Sequence, residues 1–465
     1  MNAPAPGRRI AAVAATRRPG PALLTGIGSV VLSAVALAAT APATPPAEVA
    51  PTPPATERLV ERTLSCPGPA GEDTTLRVLS GARGEGDGSA ALRVAGTRRE
   101  RTVRLRPGRL AEASADGPTV LQGTGALAPG LTAARVARGA RPAWGECPAP
   151  SAERWYAGVG AGGEHASRLV LVNPDPRPAV ADVTAWSTAG APEQIESRGL
   201  TVPGRGRSVL DLEELAPHRE ALVLRVRTVR GRLGGMVEHG FAQGTDRRVA
   251  DWVPETAAPA TDQLLPGLPR DADEQVLVLA NPGETEGRVA VRVVGSESTF
   301  APADLPEVRV PAGRTVVTDL TDVLGEQLRG DDAALLVTGT VPVVAGLRVV
   351  VGDDPGHLAA TLPAPGRHAA LAPPGGRRTL VLAGAEVAGR VTITFPGSPG
   401  RERRRIRPDV ALAVPVPAEA RAVVVASDVG YTGAVRSVTD RGVAVAPLRP
   451  LVTEELVPQV RPAWP

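Results

Sequence analysis

The stretch Leu169-Val-Leu-Val-Asn-Pro174 decides the fold, because the chain contains it again as Leu277-Val-Leu-Ala-Asn-Pro282. The second copy lies 108 residues after the first, counted from Asn173 to Asn281. A constant offset across long gaps indicates an internal repeat rather than shared composition. Two further pairs keep this offset: Thr201-Val-Pro203 with Arg309-Val-Pro311, and Asp211-Leu212 with Asp319-Leu320.

Each copy contains a series of short apolar runs separated by turn residues. The first run ends at Asn-Pro, where Asn can bond the turn backbone and Pro cannot donate to a strand ladder. The next run alternates with period two, which is typical of a strand with one buried face. Six or seven such strands in about a hundred residues predict an Ig-like β-sandwich. The alternating positions are Ala181, Val183 and Ala185 in one copy and Val289, Val291 and Val293 in the other.

A third, weaker copy follows. Gly389-Arg-Val-Thr-Ile-Thr-Phe395 matches the segment that begins at Gly287, and Ala422-Val-Val-Val425 matches the segment that begins at Ala334. The offset falls from 102 to 88 residues between these two matches. We therefore expect this copy to be shorter by a loop or a strand and to lack part of its middle.

The composition limits the classes of function. The 465 residues contain no Lys, and all 52 basic residues are Arg, with a net charge of +3. Because little titrates at alkaline pH in such a chain, this small excess explains the isoelectric point of 9.4 without a nucleic-acid partner. The 3 Phe, 2 Tyr and 5 Trp leave few side chains on which bases or sugars could stack.

The N-terminal segments favour export. Residues 1–21 carry four Arg and no acidic residue, and residues 22–39 are uncharged and mostly apolar. This pattern predicts a cytoplasmic basic N-terminus followed by a transmembrane signal-anchor, which would place the remainder outside the membrane. A cleaved signal peptide, with Ala36-Leu37-Ala38 as the cleavage site, is the alternative. Residues 40–56 are rich in Pro and are predicted to form an extended linker.

Residues 57–150 are predicted to form an N-terminal β domain with a pattern of its own. The two cysteines of the chain, Cys66 and Cys147, bracket it. In an exported chain an even pair favours a disulfide, and two unpaired thiols are the alternative. A metal site would need further ligands, which are not clustered nearby. The predicted repeats then occupy residues 151–260, 261–370 and 371–450, and residues 451–465 form a loosely packed tail.

The chain resembles a known family at Cys66-Pro-Gly-Pro69, at Cys147-Pro-Ala-Pro-Ser151 with Trp155, and at the stretch quoted first. It is similar to the domain-of-unknown-function family numbered 5719, which comprises exported proteins of high-GC Gram-positive bacteria. The resemblance implies a membrane-tethered or secreted envelope protein with β-sandwich repeats. It implies no reaction, because the family has no assigned catalytic residues.

The sequence contains no recognised catalytic or metal-binding motif, so we expect no enzymatic activity and no cofactor. No histidine has a second His at a metal-ligand spacing. Glu238-His239 is interpreted as a surface pair, and the Gly-rich segment 158–163 as an entry loop without the context of a dinucleotide site. Asp211 and Asp319 are interpreted as helix caps. The histidines are His165, His218, His239, His357 and His368.

The run Arg401-Glu-Arg-Arg-Arg-Ile-Arg407 is the densest cluster of charge. It is interpreted as a solvated loop, with anionic wall polymer or lipid headgroups as alternative contacts. The leading hypothesis is a noncatalytic, extracytoplasmic envelope protein that presents its sandwiches to another protein or to a wall polymer. The alternatives are an accessory subunit of an envelope glycan-assembly enzyme, and a carbohydrate-binding array. The array requires Trp144, Trp155, Trp186 and Trp252 to converge on one exposed face.

Overall fold

The computed structural model describes residues 55–69, 73–81, 88–188, 196–242, 249–270, 272–328, 333–398 and 400–457. Within these ranges the chain is mainly β. The predicted segments 1–21 and 22–39, and most of the linker, lie outside the described residues. Among the described helices, none has the length and apolar character that a membrane span requires.

Two four-stranded sheets form the N-terminal part of the described chain. One has the strand order β2-β7-β4-β5 and the other β6-β3-β8-β9. Their apolar faces share one core that includes Leu64, Leu76 and Leu121, each at most 1% exposed. The eight strands are β2 (Glu61–Cys66), β3 (Thr74–Ser80), β4 (Gly88–Val94), β5 (Glu100–Leu105), β6 (Leu110–Ala113), β7 (Thr119–Thr124), β8 (Leu131–Ala137) and β9 (Ala143–Glu146), and β1 (Ala55–Arg58) lies outside both sheets.

A disulfide joins Cys66 to Cys147, as the even cysteine count predicted. Cys66 ends β2 in one of these sheets, and Cys147 directly follows β9 in the other. Both cysteines are buried in the core that the two sheets share. The bridge therefore fastens one N-terminal sheet to the other.

The first repeat is a run of paired strands in the order β13-β12-β15-β10-β11-β16-β17, with β14 added to β11. β10 and β11 pair only at their hairpin, where Gly162 lies opposite His165, so the sheet divides there into two halves. The elements are β10 (Glu153–Gly162), β11 (His165–Val172), β12 (Ala179–Ser187), β13 (Glu196–Val202), β14 (Arg207–Asp211), α1 (Leu212–Leu215), β15 (Arg219–Arg230), β16 (Gly234–Phe241) and β17 (Val249–Val253).

The second repeat follows the same plan, but one long strand spans both halves. The first part of β24 pairs with β18 and β20, and its second part pairs with β19 and β25. The elements are β18 (Ala260–Leu268), β19 (Glu274–Asn281), β20 (Gly287–Val294), β21 (Thr299–Phe300), β22 (Val308–Val310), β23 (Arg314–Asp319), α2 (Thr321–Gln327), β24 (Ala333–Val351) and β25 (Asp354–Ala359).

Strand register confirms the repeat. Val170 lies opposite Val209, and Val278 lies opposite Val317, so both members of the pair shift by the same 108 residues. This agreement is required if the same side chains are to face the core, because a slip of one residue would turn them to solvent. The sequence offset therefore reflects a structural repeat.

The third repeat keeps the strands of this plan, so of the two expected alternatives, a lost loop or a lost strand, the shortening is in loops. Ile393 lies opposite Val425, as Val291 lies opposite Val337. The shortening falls on the loops and on the helix, because a turn around Pro417 replaces α2. The strands are β26 (Ala364–Leu371), β27 (Arg377–Ala383), β28 (Gly389–Thr394), β29 (Arg401–Ile406), β30 (Leu412–Pro415), β31 (Ala422–Thr439), β32 (Gly442–Pro447), β33 (Arg449–Pro450) and β34 (Glu454–Val457).

Two boundaries differ from the sequence analysis. The third repeat begins at Ala364 rather than at residue 371, because β26 pairs with β31. The beginning of the tail is also ordered into structure, since β34 pairs with β1 in a two-stranded sheet and Leu451 is only 8% exposed. The composition of the tail did not indicate this partner strand, which lies at the other end of the described chain.

Asp211 and Asp319 each bond a backbone amide at the start of a short helix, as predicted, but only Asp211 is the N-cap itself, since Leu320 holds that position in α2. The Asp211 carboxylate accepts a hydrogen bond from the Glu213 amide at 3.0 Å, and Asp319 accepts one from the Thr321 amide at 2.9 Å. A carboxylate at this position satisfies an amide that the helix itself leaves unbonded. In the third repeat Pro415 occupies the corresponding place on β30, and no helix follows it.

The N-terminal sheets share a core with the third repeat. Leu79 and Trp144 belong to the same buried cluster as Leu380 and Ile393. The Trp144 indole also donates a hydrogen bond to the Leu371 carbonyl at 2.8 Å. The described chain is therefore not a row of independent domains, because its first and last parts bury each other.

Candidate functional site

A cavity of about 420 Å³ lies between the N-terminal sheets and the third repeat. Four arginines line it, and we call it the arginine pocket: Arg77, Arg138, Arg378 and Arg421. Arg77 is on β3 and Arg138 follows β8, whereas Arg378 is on β27 and Arg421 precedes β31. The other lining residues are Gly139, Pro374, Gly375, Gly376 and Ala418.

One carboxylate, Glu112, holds three of the four guanidinium groups. Arg77 approaches it at 3.3 Å, Arg138 at 3.2 Å and Arg421 at 3.0 Å. Glu112 is on β6, so this cluster joins the N-terminal sheets to the third repeat. Because one negative charge serves three cations, the pocket retains an excess of positive charge.

Arg77 shows the effect of this excess. Its side chain is 4% exposed and donates a hydrogen bond to the Ala372 carbonyl at 2.7 Å. Burial, and to a smaller extent repulsion by Arg138 and Arg421, lowers the pKa of Arg77 to about 10 against the attraction of Glu112. The guanidinium still carries its charge at neutral pH.

Arg378 organises the turn that forms the pocket wall. Its guanidinium donates to the carbonyls of Ala420 and Pro417, each at 2.6 Å, and to that of Ala418. Burial lowers the pKa of Arg378, and the nearby Glu419 opposes this shift. The arginine thus satisfies backbone carbonyls in the turn that replaces α2.

The run Arg401–Arg407, interpreted from the sequence as a loop, is mostly the edge strand β29. Arg404 and Glu402 lie opposite the buried Val391 and Ile393, so they share the inward face. The intervening residues therefore lie on the outward face, where they are exposed. We call the outward set the arginine face: Arg390, Arg401, Arg403 and Arg405.

Three histidines form a buried chain that the sequence spacing did not indicate. His165 Nδ1 lies 3.0 Å from His239 Nε2, and His239 Nδ1 lies 2.9 Å from His357 Nε2. Their exposed fractions are 6%, 0% and 4%. The interpretation of Glu238-His239 as a surface pair is therefore wrong, because His239 points into the protein. Burial, followed by repulsion from Arg348 and His165, lowers the pKa of His357 to about 3.

The geometry of this histidine chain does not suit a metal ion. His239 directs one ring nitrogen toward His165 and the other toward His357, so the three rings do not present three nitrogens to one point. Among the described residues, no group of three or more His, Cys, Asp or Glu side chains could hold a metal. The arrangement is that of a hydrogen-bonded chain joining β11 and β16 of the first repeat to β25 of the second.

The Gly-rich segment 158–163 is also strand rather than loop. Residues up to Gly162 belong to β10, and Gly162 pairs with His165. A Cβ atom at Gly160 would lie 2.6 Å from the Cβ of His165 and 2.7 Å from the Glu220 carbonyl oxygen. Glycine is therefore required at position 160 for the close approach of β10 to the histidine chain.

The tryptophans do not form a sugar-binding face. Trp144, Trp155, Trp186 and Trp252 are each at most 6% exposed, and they belong to three different buried clusters. Trp155 and Trp186 stack at 5.2 Å between ring centroids. The condition on which the carbohydrate-binding array depended is therefore not met. The remaining histidines are His368, which contacts the Tyr431 hydroxyl at 2.9 Å, and the exposed His218.

Comparison with known families matches residues 110–417 to one described as a family of unknown function, DUF5719. The chain belongs to the DUF5719 family. The match covers 308 of the 465 residues and confirms the resemblance drawn from the cysteine and Asn-Pro motifs. No curated protein matches the chain.

The DUF5719 match includes some of the features described above and omits others. The histidine chain and the arginine face lie entirely within it. Of the arginine pocket it includes Arg138 and Arg378, whereas Arg77 and Arg421 lie outside residues 110–417. The family description names no activity, so a function must be argued from these surfaces.

Proposed function

We propose that this DUF5719 protein is a noncatalytic component of the cell envelope that binds an anionic wall polymer. The apolar segment 22–39 anchors it on the outer side of the cytoplasmic membrane, and the β repeats are Ig-like sandwiches. The observation that carries the polymer contact is the arginine face of β28 and β29.

The arginine face is an extended row of cations. Arg401, Arg403 and Arg405 alternate along one strand, which spaces them about 7 Å apart. Arg390 lies directly opposite Arg405 on the neighbouring strand. The outward face of these two strands contains no acidic side chain. Such a row fits a linear polymer that carries repeated negative charges, because each charge can meet one guanidinium.

The second repeat provides the contrast. Arg288 and Arg309 lie opposite each other on β20 and β22, as Arg390 and Arg405 do in the third repeat. Arg309 pairs with Glu286 at 2.7 Å, and Arg288 lies 4.0 Å from Glu307. The charges of this equivalent surface are therefore balanced, whereas those of the arginine face are not. If these arginines served only to keep an edge strand soluble, the two repeats would not be expected to differ in their balance of charge.

The test compares two triple variants of the full-length chain. Arg401→Gln, Arg403→Gln and Arg405→Gln together should weaken binding to purified anionic wall polymer about tenfold, since each lost contact removes about 0.5 kcal/mol. The matched control, Arg288→Gln with Arg292→Gln and Arg309→Gln, removes the same charge from the second repeat and should leave the affinity nearly unchanged. Equal losses in both variants would show that only net charge matters and would overturn the proposal.

A further inference from the structure

We propose that the arginine pocket is a separate binding site for a phosphate group, presented by a phosphomonoester or a phosphodiester. This site is distinct from the arginine face, and it does not depend on the polymer contact proposed above. It belongs to the contact between the N-terminal sheets and the third repeat.

The guanidinium groups of the arginine pocket supply hydrogen-bond donors for a phosphate group. Each guanidinium has five N–H groups in a planar fork that matches the oxygens of a phosphate. Arg138 directs one nitrogen, Nη2, to Glu112, and Arg421 likewise directs only Nη1. Both side chains are 52% exposed. Their remaining N–H groups are therefore accessible to a ligand that enters the cavity.

The charge of the residues around the arginine pocket also favours a phosphate group. The residues that line the cavity include four arginines and no acidic side chain. Glu112 and Glu419, which lie close to these arginines, leave two of the four positive charges without a balancing carboxylate. A phosphate group carries between one and two negative charges at neutral pH, which would balance this excess.

The shape of the arginine pocket also suits a phosphate group. A cavity of about 420 Å³ is of the size that small ligands occupy, and its floor includes the backbone of Gly139, Gly375 and Gly376. A Cβ atom at Gly139 would meet nothing within 4 Å, so the backbone there borders open space. The pocket therefore accommodates a phosphate with the group that bears it, whereas the flat arginine face accommodates a length of polymer.

The experiment titrates inorganic phosphate into the full-length chain by calorimetry. The double variant Arg138→Gln with Arg421→Gln should raise the dissociation constant for phosphate at least about tenfold. Both positions are half exposed, so the fold should tolerate the change. The matched control, Arg288→Gln with Arg292→Gln on β20 of the second repeat, removes the same charge from exposed positions and should bind phosphate as the unmodified chain does. Equal affinity of the double variant and the unmodified chain would overturn the proposal.

A second variant separates a binding role from a structural one. Glu112→Gln removes the carboxylate that competes with phosphate for the guanidinium groups, so the affinity for phosphate should increase several-fold. The matched control is Glu307→Gln, which removes one negative charge far from the pocket in sequence and should leave the affinity unchanged. Loss of phosphate binding in a folded Glu112→Gln variant would contradict the proposal.

A further experiment with lipid vesicles distinguishes a lipid headgroup from a soluble ester as the source of the phosphate. Phosphatidylglycerol vesicles are compared with phosphatidylcholine vesicles that carry no net charge, each with the unmodified chain and with the Arg138→Gln, Arg421→Gln variant. Vesicle binding that depends on Arg138 and Arg421 would identify a lipid headgroup, whereas binding of inorganic phosphate alone would identify a soluble ester. Absence of both would overturn the site.

Discussion

Two buried aspartates, Asp251 on β17 and Asp354 on β25, are 4% and 3% exposed. Burial raises the pKa of Asp251 to about 8, although the amides of Trp252 and Trp144 donate to it. Burial and then the charge of Asp251 raise the pKa of Asp354 to about 9, against the bond from the Val443 amide. Both carboxyls are therefore largely protonated in the folded chain at neutral pH.

This shift predicts that the free energy of unfolding falls as the pH rises from about 4 to about 8. Between about pH 4 and about pH 8 the folded chain holds a proton at Asp251 that the unfolded chain releases, so stability falls as pH rises through that window. Asp251→Asn mimics the protonated acid. From about pH 5 to about pH 7 it should gain about 3 kcal/mol relative to the unmodified chain, measured by urea unfolding. If the free energies of unfolding of Asp251→Asn and of the unmodified chain changed in parallel with pH, the protonation of Asp251 in the folded chain would be contradicted. The exposed Asp262→Asn is the control.

The histidine chain has the opposite pH dependence. Because the pKa of His357 falls to about 3 in the folded chain, the unfolded chain binds a proton below about pH 6.5 that the folded chain refuses. Stability is therefore lost as pH falls from about 6.5 toward 3. His357→Gln should remove this loss, so its stability relative to the unmodified chain should rise by about 2 kcal/mol from about pH 6.5 to about pH 5. The exposed His218→Gln is the control for urea unfolding at these two pH values. The prediction would be contradicted if the difference in free energy of unfolding between His357→Gln and the unmodified chain were the same at both.

At the scale of elements, the Asn-Pro turn connects the first two strands of the motif in two repeats. Asn281 donates to the carbonyls of Thr285 at 2.7 Å and Val310 at 3.1 Å and accepts from the Gly283 amide at 3.0 Å. Asn173 makes the equivalent three bonds, each shifted by 108 residues. The turn thus ties its own strand to the end of β13 in the first repeat and to the end of β22 in the second.

Loss of this side chain should destabilise the second repeat. Asn281 is 0% exposed, so Asn281→Ala removes the partner of the buried Val310 carbonyl and of the partly buried Thr285 carbonyl and Gly283 amide. We expect a loss of about 3 kcal/mol in the free energy of unfolding. Asn281→Asp keeps the acceptor but loses both donated bonds, so it should be nearly as destabilising. A loss below about 1 kcal/mol in the alanine variant, measured by denaturant unfolding, would show that water replaces these bonds.

The alternation of apolar and polar residues was sufficient to predict most strands of the repeats. Val183, Val291 and Ile393 are buried, and each lies in a strand whose apolar residues recur with period two. This alternation failed where composition contradicted the pattern. Gly160 lies in a strand because its missing Cβ admits His165, and Arg403 lies in a strand because β29 is an edge with one face in water. The strand assignment of both depends on neighbours that are distant in sequence.

At the scale of the whole molecule, the sequence predicted four separate domains, but the structure shows shared cores. Ala434 and Val445 of the third repeat belong to the core of the second. The candidate sites were missed for the same reason, since Glu112 and Arg421 are separated by 309 residues. A spacing rule detects ligands within one motif, whereas the histidine chain joins the first and second repeats and the arginine pocket joins the N-terminal sheets to the third repeat.

These shared cores change the expected effect of losing the disulfide. A separate N-terminal domain would unfold alone, but Trp144 and Leu79 pack against the third repeat. Cys66→Ala should cost about 4–5 kcal/mol in the chain-entropy account of a loop of 81 residues. Hydrogen exchange should show that β26 and β27 lose protection together with β3. Full protection of the third repeat in the variant would show that the N-terminal sheets unfold independently.

The pairing of β1 with β34 sets an order for folding during synthesis. Ala55–Arg58 leaves the ribosome almost four hundred residues before its partner Glu454–Val457, so this sheet must close last. The Trp144 bond to Leu371 also waits for a segment 227 residues downstream. Contacts of such long range slow folding, because the loop must be closed before the contact is gained. The nascent N-terminal sheets therefore expose the apolar surface around Leu79 and Trp144 until the third repeat is complete.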